Sequence, residues 1–241
     1  YQPNAEPVLR DVSFSIEPGS TLAIVGPTGC GKTTLVNLLL HLYPVPRGAI
    51  FFDGRDINDI PLDALRASIG CVSQDVFLFS DSIRGNILFG ESDPGDLSEE
   101  GMLDAARRAQ LHRDLTMMPD GWDTMVGERG IMLSGGQKQR TGIARALILN
   151  RPILILDDSL SAVDTDTEEA ILRSLSGAIH NATAILISHR ISTVKNADHI
   201  VVLDEGRIVE EGSHEELIAL EGLYARIHKR QLLEESLGIR T

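Results

Sequence analysis

The chain is short of cysteine, of basic residues and of long apolar runs, and each shortage closes off a class of function. Cys30 and Cys71 are the only thiols in 241 residues. They are too few and too far apart for a disulfide framework or a thiolate metal site, so a reduced compartment fits best. Twenty-two Lys and Arg stand against 35 Asp and Glu, a net charge of −13, which removes any global attraction to a nucleic-acid backbone. No apolar stretch approaches the roughly 18 residues of a membrane span, and no secretory signal is present. A link to a membrane must then come through a partner or through further chain, and the formal sequon at Asn181-Ala182-Thr183 is set aside. A start methionine is also missing: Tyr1 opens the sequence and a strand-like pattern (Val8 to Ile16) follows almost at once, so a piece of something longer is expected. At this length it can still bury a full core.

What is present is organised around Gly26-Pro27-Thr28-Gly29-Cys30-Gly31-Lys32-Thr33-Thr34, which fits G-x-x-x-x-G-K-[ST]. Thr21 to Val25 before it reads as a buried strand and Leu35 to Leu42 after it as an apolar helix, the context this phosphate-binding loop requires. Its glycines allow successive N–H groups to converge on one centre, and the helix adds its positive end. A polyphosphate fits. Lys32 is expected to reach the β- and γ-phosphates, and the Thr33 hydroxyl to ligate a bridging Mg²⁺.

The rest of the chain supplies polar groups where strands end. Val12, Phe14 and Ile16 alternate with serines, predicting a half-buried strand that forms an antiparallel edge with Thr21 to Val25. Ala49 to Phe52 predicts a strand ending in an Asp53-Gly54 turn, followed by a helix at Leu62 to Ala67 and a strand at Ile69 to Ser73. Gln74 follows that strand, where ligands bind in α/β sheets; it could reach the metal or the attacking water, or be a solvated loop residue. From Asp75 to Leu149 the pattern turns helical, with Glu99 to Leu111 and Gly135 to Leu149 the clearest helices. Ser134 is a natural N-cap there, and Gly135 and Gly136 bare further N–H groups, giving either a second anion site or a plain capped helix.

Sheet pattern returns with Ile153 to Leu156, ended by Asp157-Asp158. Adjacent carboxylates there are costly unless they hold a metal or a proton, so Asp157 is assigned to Mg²⁺ and Asp158 to orienting water. Thr165 to Leu175 predicts a helix, and Ala184 to Ile187 a strand before His189, either a surface group or a donor to a γ-phosphate. Ile200 to Leu203 and Arg207 to Val209 form a hairpin, Ser213-x-x-Glu216 caps a helix at Leu217 to Leu220, and Leu223 to Leu233 is a last amphipathic helix.

The P-loop, Gln74, Leu133-Ser134-Gly135-Gly136-Gln137, the strand ending in two carboxylates, Ser161-Ala162-Val163-Asp164 and His189, in this order and spacing, resemble the nucleotide-binding domain of ABC transporters over essentially the whole chain. The stretches QDVFLFSDSIRGNILFG (from Gln74) and TMVGERG (from Thr124) resemble the exporter branch. The resemblance implies an α/β P-loop NTPase core with a mostly parallel sheet, an N-terminal antiparallel β-subdomain and an inserted helical subdomain. All 241 residues would form one ATPase domain, with 1–74 and 150–241 as core and 75–149 as the helical part. It implies MgATP as ligand, with Tyr1 stacking on adenine and Gly26 to Thr34, Gln74, Asp157 and His189 around the phosphates. Thr33, Gln74 and Asp157 would hold the metal, and Asp158, His189 and Gln74 would serve hydrolysis. Ser134, Gly135, Gly136, Gln137 and Asp164 would reach the ATP of a second such domain, facing head to tail. The transmembrane domains of an exporter would be the other partner, with no nucleic acid bound. The setting would be the cytoplasmic face of the inner membrane, the piece itself being soluble.

Asp158 departs from the family pattern, which has glutamate there. The carboxylate ends about an ångström short of the water, a misplacement that can cost on the order of 100-fold in rate. A degenerate half of a heterodimeric exporter is therefore expected, with a homodimer as the alternative should a small backbone shift restore Asp158.

Overall fold

The computed structural model describes residues 6–90, 98–127, 131–179 and 182–237. In chain order its elements are β1 (Thr21–Val25), α1 (Lys32–Leu39), β2 (Phe51–Phe52), β3 (Arg55–Asp56), α2 (Leu62–Ala67), β4 (Ile69–Val72) and α3 (Ile83–Leu88). They continue with α4 (Glu99–Arg108), α5 (His112–Met117), α6 (Gly135–Ile148), β5 (Ile153–Asp157) and α7 (Thr165–Ile179). The chain closes with β6 (Thr183–Ile187), α8 (Ile191–Val194), β7 (His199–Asp204), β8 (Arg207–Gly212), α9 (His214–Ala219) and α10 (Leu223–Ser236). These form two compact units, Tyr1–Ser68 with Thr183–Thr241, and Ile69–Ala182.

In the first unit β1 lies between β6 and β7, parallel to both, and β8 adds an antiparallel edge to β7. All five residues of β1 are buried, as its unbroken apolar run requires of a strand covered on both faces. On β8 half-buried and exposed residues alternate, as an edge strand with one wet face should. Glu205 and Gly206, both at positive φ, form the two-residue turn between β7 and β8. Asp53 and Gly54 repeat this between β2 and β3. A core of Ala23, Val25, Ile200 and Val202 packs against Ile191 and Val194 of α8, Leu217 of α9 and Tyr224 of α10.

In the second unit β4 and β5 pair in parallel, and α6 packs on α3, α4 and β4. Gly70 on β4 lets this happen, since a Cβ there would lie 3.2 Å from the Ala146 carbonyl oxygen. Helix α4 stops at Arg108 rather than at Leu111, because Gln110 turns left-handed at φ 56.

The N-terminal stretch corrects one expectation. Residues 12 to 16 alternate half-buried and exposed, as their pattern predicted, yet they form no strand. Alternation reports which face is covered, not whether a neighbour offers a hydrogen-bond ladder. Nearby, Arg10 N–H donates to the Gly206 carbonyl at 2.8 Å.

Candidate functional site

The predicted residues lie at strand ends and helix starts in each unit. In the first, the 26–31 loop leaves β1 and enters α1, whose N-cap Gly31 has φ 112. Gly26 has φ 156, and a Cβ on it would fall 2.0 Å from the carbonyl oxygen of Leu203 on β7. A Cβ on Gly31 would meet Leu9 at 2.7 Å. Only glycine fits either position, which is why the loop can curl this tightly. The Lys32 ammonium folds back into this curl, donating to the carbonyls of Gly26 (2.9 Å) and Pro27 (3.0 Å) and lying 3.8 Å from the Cys30 sulfur. A cation beside a glycine-built turn that opens a helix is the arrangement a polyphosphate receptor requires.

His189 leaves the same edge. Register pairs Ile24 with Ile187, and Ser188 N–H donates to the Ile24 carbonyl at 3.4 Å, so exposed His189 follows β6 just as Gly26 follows β1.

In the second unit, register pairs Val72 with Leu156, so Gln74 and the Asp157-Asp158 pair also leave one edge together. Gln74 is exposed; Asp157 ends β5 and is 4% exposed. Asp158 is half-buried in the left-handed conformation, φ 46, which short acidic side chains tolerate better than long ones. The neighbouring Ser159 is buried with its hydroxyl unpartnered among the described residues. Burial, and then the charge of Asp157, push the Cys71 thiol up to about 12.

The signature opens α6. Ser134 Oγ accepts from Gln137 N–H (3.2 Å) and Gln137 Oε1 from Ser134 N–H (3.0 Å), a full capping box. Ser134 and Gly135 are exposed. A Cβ on Gly136 would come within 3.0 Å of the Ala162 carbonyl oxygen, so glycine lets the helix start approach the 161–164 segment. Buried Gln139 ties the two together, donating to Ser161 Oγ (3.0 Å) and accepting from Ala162 N–H (2.9 Å). Asp164 caps α7 through Thr167 N–H at 3.0 Å, and the backbone and then the side-chain hydrogen bonds of Thr167 hold its carboxyl below the usual range. Arg140 forms a two-pronged pair with Asp114, Nε to Oδ2 at 2.9 Å and Nη2 to Oδ1 at 3.1 Å. The roles of Gln139 and Asp114 carried no sequence signal, since their partners lie 22 to 26 residues away. Tyr1 and Glu128 to Gly130 lie outside the described residues.

A glycine-built P-loop between a central parallel strand and a helix defines a P-loop nucleotide-binding protein. The ABC transporter family model matches residues 9–161, more than half of the chain, and the chain belongs to that family, as its ATP-binding domain. It is 48% identical over 231 residues to an ATP-dependent lipid A-core flippase of Idiomarina loihiensis, covering 96% of this chain and 39% of that protein. It is 47% identical over 233 residues to a probable multidrug resistance ABC transporter ATP-binding/permease protein of Bacillus subtilis, covering 97% and 39%. Among solved structures it is similar to a bacterial Atm1-family ABC exporter with ATP bound, with TM-score 0.88, 44% identity and coverage of 93% and 39%. The chain thus spans about two fifths of the length of these relatives. Two expectations, the mostly parallel P-loop architecture and the ABC transporter family, are borne out.

One prediction arises directly from the loop. Both thiols are at least half-buried, and the Cys30 sulfur lies beneath Gly26, so the modification is followed at the Cys30 peptide itself. Modified Cys30 should no longer bind ATP, and saturating ATP should slow the modification at least tenfold in a timed mass-spectrometric assay. Equal rates with and without ATP would place Cys30 away from the phosphates.

Proposed function

We propose that the chain is the ATP-driven motor of a membrane exporter, and that it works as one of a pair. The observation that carries this is the exposed start of α6. Ser134 and Gly135 present a helix N-terminus outward, a second anion receptor that a single chain has no phosphate to fill. Each MgATP would lie between the P-loop of one domain and the Ser134 to Gln137 segment of the other, with Asp164 beside it. In this reading Lys32 and the loop amides of Gly26 to Thr34 hold the phosphates, Thr33, Asp157 and Gln74 hold Mg²⁺, and His189 donates to the γ-phosphate. Asp158 sits at the attacking water and supports hydrolysis weakly, so the chain completes the active site of a companion domain while its own P-loop serves the slow one. Tyr1 would stack on adenine.

Transmembrane segments would belong to the rest of the transporter, and the chain would lie on the cytoplasmic side of the membrane. Among the described residues no helix is long and apolar enough to cross a membrane. The 74–90 stretch would receive the transmembrane part. Arg145 braces it from within through the Asn86 and Phe77 carbonyls at 2.7 and 3.1 Å, while Phe77 and Phe89 remain exposed.

Sedimentation with MgATP against MgADP tests the pairing. ATP should shift the chain, alone or mixed with its companion domain, to the mass of a dimer. Ser134→Glu, which sets a carboxylate against the incoming phosphate, should abolish that shift while ATP still binds at the P-loop. A dimer that ignores ATP, or one that survives Ser134→Glu, would sink the proposal.

A further inference from the structure

Gln231 lies on the third turn of α10, far in sequence from every motif above, yet its side chain ends on the backbone that carries His189. Its Nε2 donates to the His189 carbonyl at 2.5 Å, and its Oε1 accepts from Ile191 N–H at 2.8 Å. The two partners fix the amide orientation, because a carbonyl can only accept and an N–H can only donate. One arm does the work of a helix cap. Arg190 at the N-cap of α8 offers no side-chain acceptor, and Gln231 supplies the one Ile191 needs. The other arm ties down the carbonyl of His189 itself, one residue before that N-cap.

Packing sets the reach of this side chain. Tyr224, Ile227 and Gln231 fall on one face of α10. Tyr224 is fully buried and Ile227 partly so, against Ile191 and Val194 of α8. Glu210 on β8 holds the start of α10, accepting from Leu223 N–H and from Tyr224 N–H, the latter at 3.0 Å. The Tyr224 hydroxyl meets His214 Nδ1 at 2.8 Å. On the far side of the loop, Ser188 Oγ accepts from Arg190 N–H at 3.0 Å. The 188–191 segment is therefore gripped from α10 and from its own serine, while the His189 ring stays exposed.

We infer that Gln231 is a positioning residue that sets the His189 imidazole against the γ-phosphate, making the C-terminal helix a part of nucleotide discrimination. This rests on the reading of His189 as a γ-phosphate donor. The γ-phosphate is the one group that separates ATP from ADP, so the readout is the ratio of the two affinities.

Titration of MgATP and MgADP into the whole chain, with thermal unfolding followed in parallel, tests the inference. Gln231→Ala should lower the ATP-over-ADP preference about fivefold and leave the ADP affinity unchanged, while the lost cap on α8 lowers the unfolding midpoint by a few degrees. Gln231→Glu keeps an acceptor for Ile191 but turns a carboxylate on the His189 carbonyl, and should lose as much. In a His189→Ala background Gln231→Ala should cost nothing further, because the two act through one contact. A wild-type preference in Gln231→Ala, or the same fivefold loss with His189 already gone, overturns the inference alone. A wild-type preference in His189→Ala overturns the reading of His189 and the inference with it.

Discussion

Asp158→Glu is expected to raise ATP hydrolysis about tenfold while ATP affinity stays the same, equivalent to about 1.4 kcal/mol of barrier. Asp158 stands one residue past β5, beside buried Asp157, and in the proposed reading one more methylene would carry its carboxylate about an ångström closer to the attacking water. General-base efficiency depends on that distance. In the proposed reading binding is carried by the P-loop, which the substitution leaves as it is. The exchange has an opposing cost: Asp158 is left-handed, and a longer side chain there forfeits up to about 1 kcal/mol of stability. A faster but slightly less stable enzyme is therefore expected, read from steady-state turnover and a melting curve. Equal turnover in both proteins would make Asp158 a competent base and a pair of identical chains credible.

Gly26→Ala should weaken ATP binding at least 100-fold, or about 2.7 kcal/mol. Positive φ alone costs an alanine about 1–2 kcal/mol. The decisive term is the 2.0 Å approach to the Leu203 carbonyl, a backbone atom in a paired strand that cannot swing aside. The loop must open, and each phosphate–amide hydrogen bond so lost is worth about 1.5–3 kcal/mol. Gly54→Ala is the control. Its φ is 75 but its Cβ meets nothing within 4 Å, so it should cost stability alone and leave binding intact. ATP titration of both variants separates backbone strain from steric opening, and near-equal affinities would show that the loop yields.

The P-loop was legible because glycine positions, an apolar strand and an apolar helix are all local signals, and local signals survive in sequence. Asp157-Asp158 and the Ser134 cap were legible for the same reason. The strand expected at residues 12 to 16 failed where a partner, not a pattern, decides. Gln139, Asp114 and Gln231 were invisible for a related cause: each is a polar residue of a helix, and its meaning lies in a segment 22 to 42 residues away. Gln231 reads as the wet face of an amphipathic helix until folding places the 189–191 backbone beneath it.

The Lys32 ammonium, held by two carbonyls of its own loop, has a kinetic consequence. The Gly26 and Pro27 carbonyls accept from the ammonium as phosphate oxygens would, so the side chain is already folded toward the loop. An arriving nucleotide exchanges one set of hydrogen bonds for another, so some gross affinity is given up in return for a receptor already shaped. If the chain is the proposed motor, capture should then be limited by encounter, and the slow steps of its cycle should fall after binding.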